Sequence, residues 1–280
     1  MTTHTLELTG KVLVFGGAQG NLQALQALKK RAESQQIPAG NIINTGDTVG
    51  CCAQPEECIS FIQKWGIHSI AGDMEQQLAL DQPNYGSFFP LESRNDLLWK
   101  QLYHFNRGNL SDKAIEWMKN QPEFIQFNYG GKRVFVVHGS WFEPTEYIFQ
   151  STPWQRKSDN LEVAEADIMI AGHCGLPFNH INWSNYWLNP GSIGLPANDG
   201  TSRGWFMILD DAKGKFGFTH HSLQYDFKHT AQLIQEHNLP ETIAQTLQTG
   251  LWDNNQILPN EETQEQGIAL ELDGHGIKAL

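Results

Sequence analysis

The stretch Val12-Leu13-Val14-Phe15-Gly16-Gly17 decides the fold class. Four consecutive apolar residues that end in glycine are typical of a strand buried on both faces of a sheet. Leucines then recur every third residue over positions 22–28, which predicts an amphipathic helix. The pair Ile42-Ile43 predicts the next strand, which ends before Gly46. A strand, a helix and a strand joined by short links indicate a parallel α/β arrangement.

The same alternation continues along the chain. Pro55-Glu56-Glu57 predicts a helix start, because proline suits the first helical position and carboxylates favour the positive end of the helix dipole. Residues 68–71 predict a third strand. Two short apolar runs flank Gly130-Gly131 and predict a hairpin. Residues 228–249 predict a helical region that Pro240 interrupts.

No internal repeat and no strong linker divides the chain. We therefore expect one domain over residues 1–252, followed by a polar, acidic tail over residues 253–280. The tail contains Asn-Asn, Glu-Glu and several glycines, so we expect it to pack loosely or fray.

Composition narrows the class of protein. The 280 residues carry a net charge of −12, which disfavours nucleic acid as a partner because phosphate backbones attract basic surfaces. The four cysteines match no zinc-ribbon or disulfide spacing, which predicts reduced thiols and a cytoplasmic location. The sequence lacks a secretory signal, and no apolar run approaches the roughly 18 residues that a membrane span needs.

Polar residues follow several of the predicted strands. In open α/β sheets, ligands bind beyond the carboxyl ends of the strands, so these loops are expected to converge. Two carboxylates and two imidazoles together are suitable ligands for Mn, Fe or Zn. The candidate metal ligands are Asp47, Asp73, His138 and His173.

The glycine-rich turn over residues 16–21 has two further interpretations. A turn between a strand and a helix can bind phosphate through backbone N–H groups, which makes Gly20 and Asn21 candidate phosphate ligands. The spacing required for dinucleotide binding is not met. A small phosphorylated ligand is therefore possible.

Aromatic residues in the second half of the chain suggest either core packing or a pocket for a ring-bearing ligand. They are Trp141, Phe142, Trp183, Tyr186 and Trp187.

The order of the motifs resembles the calcineurin-like metallophosphoesterase superfamily, especially its small bacterial and archaeal phosphodiesterase branch. The resemblance extends from about residue 11 to about residue 227. It implies a four-layer α/β-β/α sandwich, in which two mixed sheets are flanked by helices. The motifs that carry it are Gly46-Asp47-Thr48-Val49-Gly50, His138-Gly139-Ser140, Gly172-His173-Cys174-Gly175-Leu176-Pro177-Phe178 and Asn189-Pro190-Gly191-Ser192-Ile193-Gly194.

The sequence departs from the family pattern in one half of the metal site. The resemblance implies Asp and His where this chain has Gly17 and Gln19, and His where it has Gly175. The ligands of the first family metal are thereby lost, apart from the bridging Asp47. All four positions of the second metal site carry residues that can bind a metal. Three of them match the implied ligands, and at the fourth Asp73 stands in place of the usual Asn.

The catalytic acid is also absent, because Met74 stands where the resemblance implies His. No catalytic residue is therefore assigned. Two functions follow from these departures. We favour a catalytically impaired relative that binds a ligand or a protein partner, with at most one divalent metal. The alternative is an active metal-dependent phosphomonoesterase or phosphodiesterase that uses a mononuclear or atypical site.

Overall fold

The computed structural model describes residues 2–81 and 89–278. Two mixed six-stranded sheets form its centre, and their facing sides share one apolar cluster. One sheet runs in the order β1 (Thr3–Thr5), β5 (Phe124–Tyr129), β6 (Lys132–Val137), β7 (Ile168–Ala171), β9 (Asn185–Pro190) and β8 (Pro177–Asn182). The other runs in the order β12 (Gly276–Ile277), β11 (Gly217–Leu223), β10 (Gly204–Asp210), β2 (Val12–Phe15), β3 (Ile42–Asn44) and β4 (His68–Ser69).

Helices cover the outer faces of both sheets. They are α1 (Leu22–Ser34), α2 (Pro55–Trp65), α3 (Asp73–Ala79), α4 (Arg94–Asn109), α5 (Asp112–Lys119), α6 (Trp154–Val163), α7 (Phe227–Glu236), α8 (Glu241–Thr249) and α9 (Asn260–Gln264). Leu25 and Leu28 of α1 pack on Leu13 and Phe15 of β2, and Leu161 of α6 packs in the cluster on the other sheet. The predicted four-layer α/β-β/α sandwich is confirmed.

Parallel pairing brings the chemically important loops to one edge. Strand β2 pairs with β3 in parallel, with Leu13 opposite Ile42, and β3 pairs with β4 in parallel. In the other sheet β6 pairs with β7 in parallel, with Val136 opposite Ile170. A bridge between Gly16 and Ser192 joins the loops that follow β2 and β9. The carboxyl ends of six strands, β2, β3, β4, β6, β7 and β9, therefore open toward a common region.

Several local predictions are confirmed. The hairpin turns at residues 130–131 between β5 and β6. Two helices, α7 and α8, replace the single helical region, and the break falls at Pro240 as expected. The predicted strand at residues 68–71 is shorter, since only His68 and Ser69 pair with β3. Among residues 2–81 and 89–278, no helix combines the length and apolar character that a membrane crossing needs.

The tail is tied to the domain at two places, although most of residues 253–278 are exposed, and loose packing of the rest stays a prediction. Glu262 of α9 is buried and accepts hydrogen bonds from the backbone N–H and the hydroxyl of Ser151, at 2.9 and 2.7 Å. Strand β12 pairs with β11, so the tail contributes the edge strand of one sheet. A buried carboxylate with two donors and a strand pairing anchor the segment despite its polar composition. The domain boundary at residue 252 stays a prediction.

Candidate metal centre

Four polar side chains from four separate loops meet at the carboxyl edge of the two sheets. Each offers one ligand atom, and these four atoms all lie within 4.8 Å of one another. Asp47 follows β3, Asp73 begins α3, His138 follows β6 and His173 follows β7. The residues that the sequence named as candidate metal ligands are thus brought together, and they form a group that can hold one metal ion.

The spacing of the donors suits a compact, tetrahedral-like site. His138 Nε2 lies 3.2 Å from Asp47 Oδ1 and 3.3 Å from Asp73 Oδ1. His173 Nδ1 lies 3.2 Å from His138 Nε2 and 3.6 Å from Asp73 Oδ1. Tetrahedral ligands at metal–ligand bonds of about 2.0–2.2 Å are separated by about 3.3–3.6 Å. These four separations are therefore close to the spacing around a single transition-metal ion, and no two of the ligand atoms lie more than 4.8 Å apart.

A hydrogen bond to the backbone fixes the orientation of the His138 ring. Its Nδ1 lies 2.7 Å from the carbonyl oxygen of Thr45, and a carbonyl oxygen only accepts, so Nδ1 carries the proton. Nε2 is consequently the atom that faces the other donors. A backbone acceptor behind the ring is the usual means of setting the tautomer of a metal-ligating histidine.

Close approach of the loops depends on glycine. Gly46 has φ of +101°, and a Cβ there would lie 2.7 Å from both the Gly72 nitrogen and His138 Nδ1. Asp47 and His173 have φ of +56° and +57°, in the left-handed region that non-glycine residues rarely occupy. Such backbone conformations cluster at functional sites, because the surrounding structure must hold them in place.

The donors form a charged cluster. Burial would lower the pKa of His138, but the carboxylates of Asp47 and Asp73 outweigh it and raise that pKa well above its usual range. Burial would raise the pKa of Asp73, yet hydrogen bonds from His138 and His173 hold it well below its usual range. Burial raises the pKa of Asp47. Proton and metal compete for such a set of donors, because ligation needs neutral imidazole and ionised carboxylate.

Glu75 supports the site from outside the ligand set. Its carboxylate accepts the backbone N–H groups of Asp47, Val49 and Gly72, at 3.1, 2.9 and 2.7 Å. Burial, followed by the Asp47 charge, raises the pKa of Glu75 to about 7. Sequence reasoning gave this residue no role, although a Glu at the third helical position that reaches back to the cap N–H is a recognisable signal.

The side of the site that lacks family ligands is filled by this chain's own groups. Gln19 Nε2 donates to Asp47 Oδ2 at 3.0 Å. A Cβ on Gly17 would lie 2.8 Å from Ser192 Oγ, and one on Gly175 would lie 3.6 Å from Trp252 Cζ2. Met74 is buried among apolar residues. Gly17, Gln19 and Gly175, which replace the implied ligands, all border the cavity beside the donors.

The predicted phosphate ligands lie at the start of α1, where internal bonds engage them. The Gly20 N–H donates to the carbonyl of Thr48 at 2.8 Å. The Asn21 side chain accepts from the Ala24 N–H and from the Thr230 hydroxyl, and it donates to the carbonyl of Gly194. These bonds give Asn21 a helix-capping role. Phosphate binding by Gly20 and Asn21 stays a prediction.

A cavity of about 180 Å³ opens beside Asp47, Asp73 and His173. The aromatic residues that border it are Phe89, Trp99, Tyr147 and Trp252. None of the five aromatic residues that the sequence suggested for a pocket is among its described lining residues, which corrects that alternative. Trp187 lies in the core and Trp183 is exposed. Sequence periodicity gave no signal for the aromatic wall, because its members are distant along the chain.

Comparisons with known proteins agree with this architecture. A sequence model of the calcineurin-like phosphoesterase superfamily domain matches residues 11–214. An uncharacterized protein of Methanocaldococcus jannaschii is 25% identical over 261 residues, which cover 85% of this chain and 98% of that protein.

Two solved structures are similar to this chain. A hypothetical protein from Pyrococcus horikoshii gives a TM-score of 0.72 at 22% identity, covering 86% of this chain and 99% of that one. A metallophosphoesterase from Sphaerobacter thermophilus gives a TM-score of 0.67 at 21% identity, covering 87% of this chain and 100% of that one. At these identities the two structures establish the fold alone.

Proposed function

Because this chain belongs to the calcineurin-like phosphoesterase superfamily, we propose that it holds one divalent cation and, through it, binds a phosphate ester. The cation is Mn, Fe or Zn, and its ligands are Asp47, Asp73, His138 and His173. The observation that carries the proposal is the buried cluster of these donors, with nearest separations of 3.2–3.6 Å. The adjacent cavity supplies space for the ester.

We further propose that ordinary phosphoesterase turnover is impaired. Two-metal hydrolases place their ions about 3.5–4 Å apart and clamp the attacking and leaving oxygens between them. Here Asp47 Oδ2 is engaged by Gln19 instead. A general acid contributes about 10²–10⁴-fold, and the thioether of Met74 has no proton to donate. A silent or weakly active ligand-binding protein is the function that these contacts support best, and it needs no catalytic residue.

A second candidate is a hydrolase that works with one metal. The observation in its favour is that Asp47, Asp73 and His173 line the cavity, so a ligand there lies directly beside the donors. A bound divalent cation would supply Lewis acidity and lower the pKa of a bound water. Asp47, Asp73, His138 and His173 would hold that cation, and the apolar cavity wall would exclude bulk water from the ligand.

The metal itself is tested by stoichiometry. Calorimetric titration of the chelator-treated protein with MnCl₂ is expected to give one equivalent per chain. Replacing a donor, as in His173→Ala, is expected to weaken binding by at least about 10-fold. The matched control is His229→Ala, which alters an exposed histidine of α7. Two equivalents in the native protein, or equal binding by His173→Ala, would contradict the proposal.

Turnover separates the two candidates. The Mn-loaded protein is incubated with p-nitrophenyl phosphate and bis(p-nitrophenyl) phosphate, and its rate is compared with that of His173→Ala. Equal rates for the native protein and His173→Ala support the binding function if inorganic phosphate also binds the Mn-loaded native protein and competes there with p-nitrophenyl phosphate. A rate that His173→Ala abolishes supports the hydrolase and ends the claim of impairment.

A further inference from the structure

The cavity beside the metal donors has a predominantly apolar wall. Two helices and one C-terminal stretch build one side of it: Leu98 and Trp99 come from α4, Ile243 from α8, and Trp252 and Ile257 from residues 251–257. Tyr147 adds a second aromatic surface, and its ring lies 4.2 Å from the ring of His173. The metal donors thus face an aromatic chamber on one side.

Part of this wall lies outside the stretch that matches the superfamily. That match ends at residue 214, whereas α8 and residues 251–257 follow it. Trp252 is held in place by two hydrogen bonds: its Nε1 donates to the carbonyl of Pro196 at 2.8 Å, and its backbone N–H donates to Asn198 Oδ1 at 2.7 Å. An aromatic ring fixed in this way loses little entropy when it contacts a ligand.

The charges around the cavity are of one sign. Its described lining residues include Asp47, Asp73 and Asp253, and no lysine or arginine is among them. One divalent cation would balance Asp47 and Asp73 only. A ligand with two phosphoryl groups would therefore bring a second anion into a site with no cation to receive it. A ligand with a single phosphoryl group does not meet this repulsion.

Asp253 on the wall offers an acceptor to a ligand donor. Asp253 Oδ1 pairs with Arg94 Nη2 at 2.6 Å, while Asp253 Oδ2 is buried and has no hydrogen-bond partner among the described residues. A buried acceptor without a donor is costly, so an N–H or O–H group of a ligand would be favoured there.

We infer that the cavity binds an uncharged aromatic group, and that the ligand of this site is an aromatic compound carrying one phosphoryl group. The second half of this inference rests on the proposed function. Apolar cavities of about 150 Å³ accept a benzene ring, so the volume of about 180 Å³ is sufficient for one ring system. Trp252 and Tyr147 provide the aromatic surfaces, and the metal donors lie at one side of the same cavity.

The aromatic part of the inference is tested without metal or phosphate. Metal-free protein is titrated with 1-naphthol, and binding is followed by calorimetry. Trp252→Ala is expected to weaken binding by about 10-fold or more, because the ring loses its principal contact surface. The matched control is Trp183→Ala, since Trp183 is 95% exposed and lies outside the cavity wall. Absence of 1-naphthol binding in the native protein overturns the inference, as does unchanged affinity in Trp252→Ala.

A second variant keeps the test valid if Trp252→Ala does not fold. Thr242 lines the cavity from α8 at a half-buried position, so Thr242→Phe narrows the chamber without removing a core residue. Loss of 1-naphthol binding in Thr242→Phe supports the inference. Retention of full affinity for 1-naphthol overturns it.

The single phosphoryl group is tested with the Mn-loaded protein. We expect 1-naphthyl phosphate to bind about 10- to 100-fold more tightly than glycerol 3-phosphate, because it buries a ring against the apolar wall. We expect ADP to bind no more tightly than AMP. Equal affinity for 1-naphthyl phosphate and glycerol 3-phosphate, or tighter binding of ADP, overturns this part.

The outcomes distinguish this inference from the proposed function. If 1-naphthol binds but Mn²⁺ and inorganic phosphate do not, the metal function fails and the aromatic cavity stands. If Mn²⁺ and inorganic phosphate bind but 1-naphthol does not, the metal function stands and the aromatic cavity is rejected.

Discussion

Gln19 donates its side-chain amide N–H to Oδ2 of Asp47 across 3.0 Å, and both residues are buried. The two oxygens of this carboxylate therefore have different environments, since Oδ1 faces His138 and the other metal donors. In the superfamily pattern, Asp47 occupies the bridging position between two cations. Here the neutral amide of Gln19, rather than a second cation, contacts Oδ2 of Asp47. A hydrogen bond to a charged acceptor is among the stronger ones in a protein interior.

Removal of this bond should cost stability. Gln19→Ala leaves Asp47 Oδ2 without its donor, and we expect the free energy of unfolding to fall by about 1.5–3 kcal/mol. Urea denaturation monitored by fluorescence measures the change. Gln232→Ala is the matched control, because the side-chain amide of that exposed glutamine donates to Glu236 on the same helix, and its effect should stay within about 0.5 kcal/mol. Equal effects of the two changes would refute a special role for Gln19.

A bound cation should stabilise the fold. A ligand that binds only the folded state adds about 2.7 kcal/mol at one hundred times its Kd, which corresponds to roughly 5–10 °C in Tm for a chain of this size. We expect saturating MnCl₂ to raise the Tm of the native protein and of His229→Ala by this amount. The Tm of Asp73→Ala should rise by no more than about half as much, because loss of one carboxylate ligand weakens binding by at least about 10-fold. An equal rise in Asp73→Ala would place the cation elsewhere.

Restoration of the family residues should not by itself restore a second metal. The four changes are Gly17→Asp, Gln19→His, Met74→His and Gly175→His. Gly17 has φ of +54°, and a side chain there would meet Ser192. At Gly175 an imidazole would compete for space with the indole of Trp252. We expect the fourfold variant to bind one equivalent of Mn²⁺ and to unfold at a lower temperature.

The indole of Trp252 is then expected to be the remaining obstacle to a second metal ion in the fourfold variant. Adding Trp252→Ala to the fourfold variant should raise the metal content above one equivalent, measured by elemental analysis after gel filtration. Two equivalents in the fourfold variant with Trp252 intact would show that the indole does not obstruct the site. No increase after Trp252→Ala would locate the obstruction at Gly17 instead.

The parts of the site that sequence predicts are those fixed by the ends of strands. Asp47, His138 and His173 each follow a buried strand, and parallel neighbours bring their carboxyl ends together. The side-chain chemistry of these loops is local, so it can be identified from short motifs. The same reasoning placed Asp73 correctly, because it begins the helix after β4.

The parts that sequence misses depend on contacts between distant residues. Trp252 meets Gly175 from 77 positions along the chain, and no periodic pattern marks that meeting. The polar tail gave the same difficulty: its composition indicated fraying, yet Glu262 is buried by bonds to Ser151. Hydrophobic periodicity reports which face of an element is buried, but it does not report which polar side chain finds a partner across the fold.

Acid should destabilise the fold partly through His220. Burial lowers the pKa of His220 to about 4, from an ordinary value of 6.5. Its Nε2 donates to the carbonyl of Asn189 at 2.9 Å, whereas its buried Nδ1 has no partner among the described residues, so a proton there would have no acceptor. The unfolded chain takes up this proton below about pH 6.5, whereas the folded chain does so only near pH 4. The neutral state of His220 therefore contributes about 3 kcal/mol to the free energy of unfolding. This contribution is complete above pH 6.5 and is lost as the pH falls to 4.

The variant that tests this is His220→Gln, whose amide can still donate to Asn189. We expect its free energy of unfolding to depend less on pH than that of the native protein between pH 4 and 6.5. Urea denaturation at several pH values measures both slopes. His229→Ala is the control, and its slope should match the native one. Parallel curves for His220→Gln and the native protein would exclude His220 as a source of acid sensitivity.

The C-terminal segment should stabilise the domain through one buried carboxylate. Glu262 receives two hydrogen bonds from Ser151, which lies 111 positions earlier, so this contact joins the tail to the loop before α6. Glu262→Ala leaves both donors of Ser151 without their acceptor, and we expect a loss of about 1.5–3 kcal/mol in urea denaturation. Glu265→Ala removes an exposed carboxylate of the same segment and should change stability by less than about 0.5 kcal/mol. If Glu262→Ala is as mild as its control, the segment is held by other contacts, of which the pairing of β12 with β11 is the next to test.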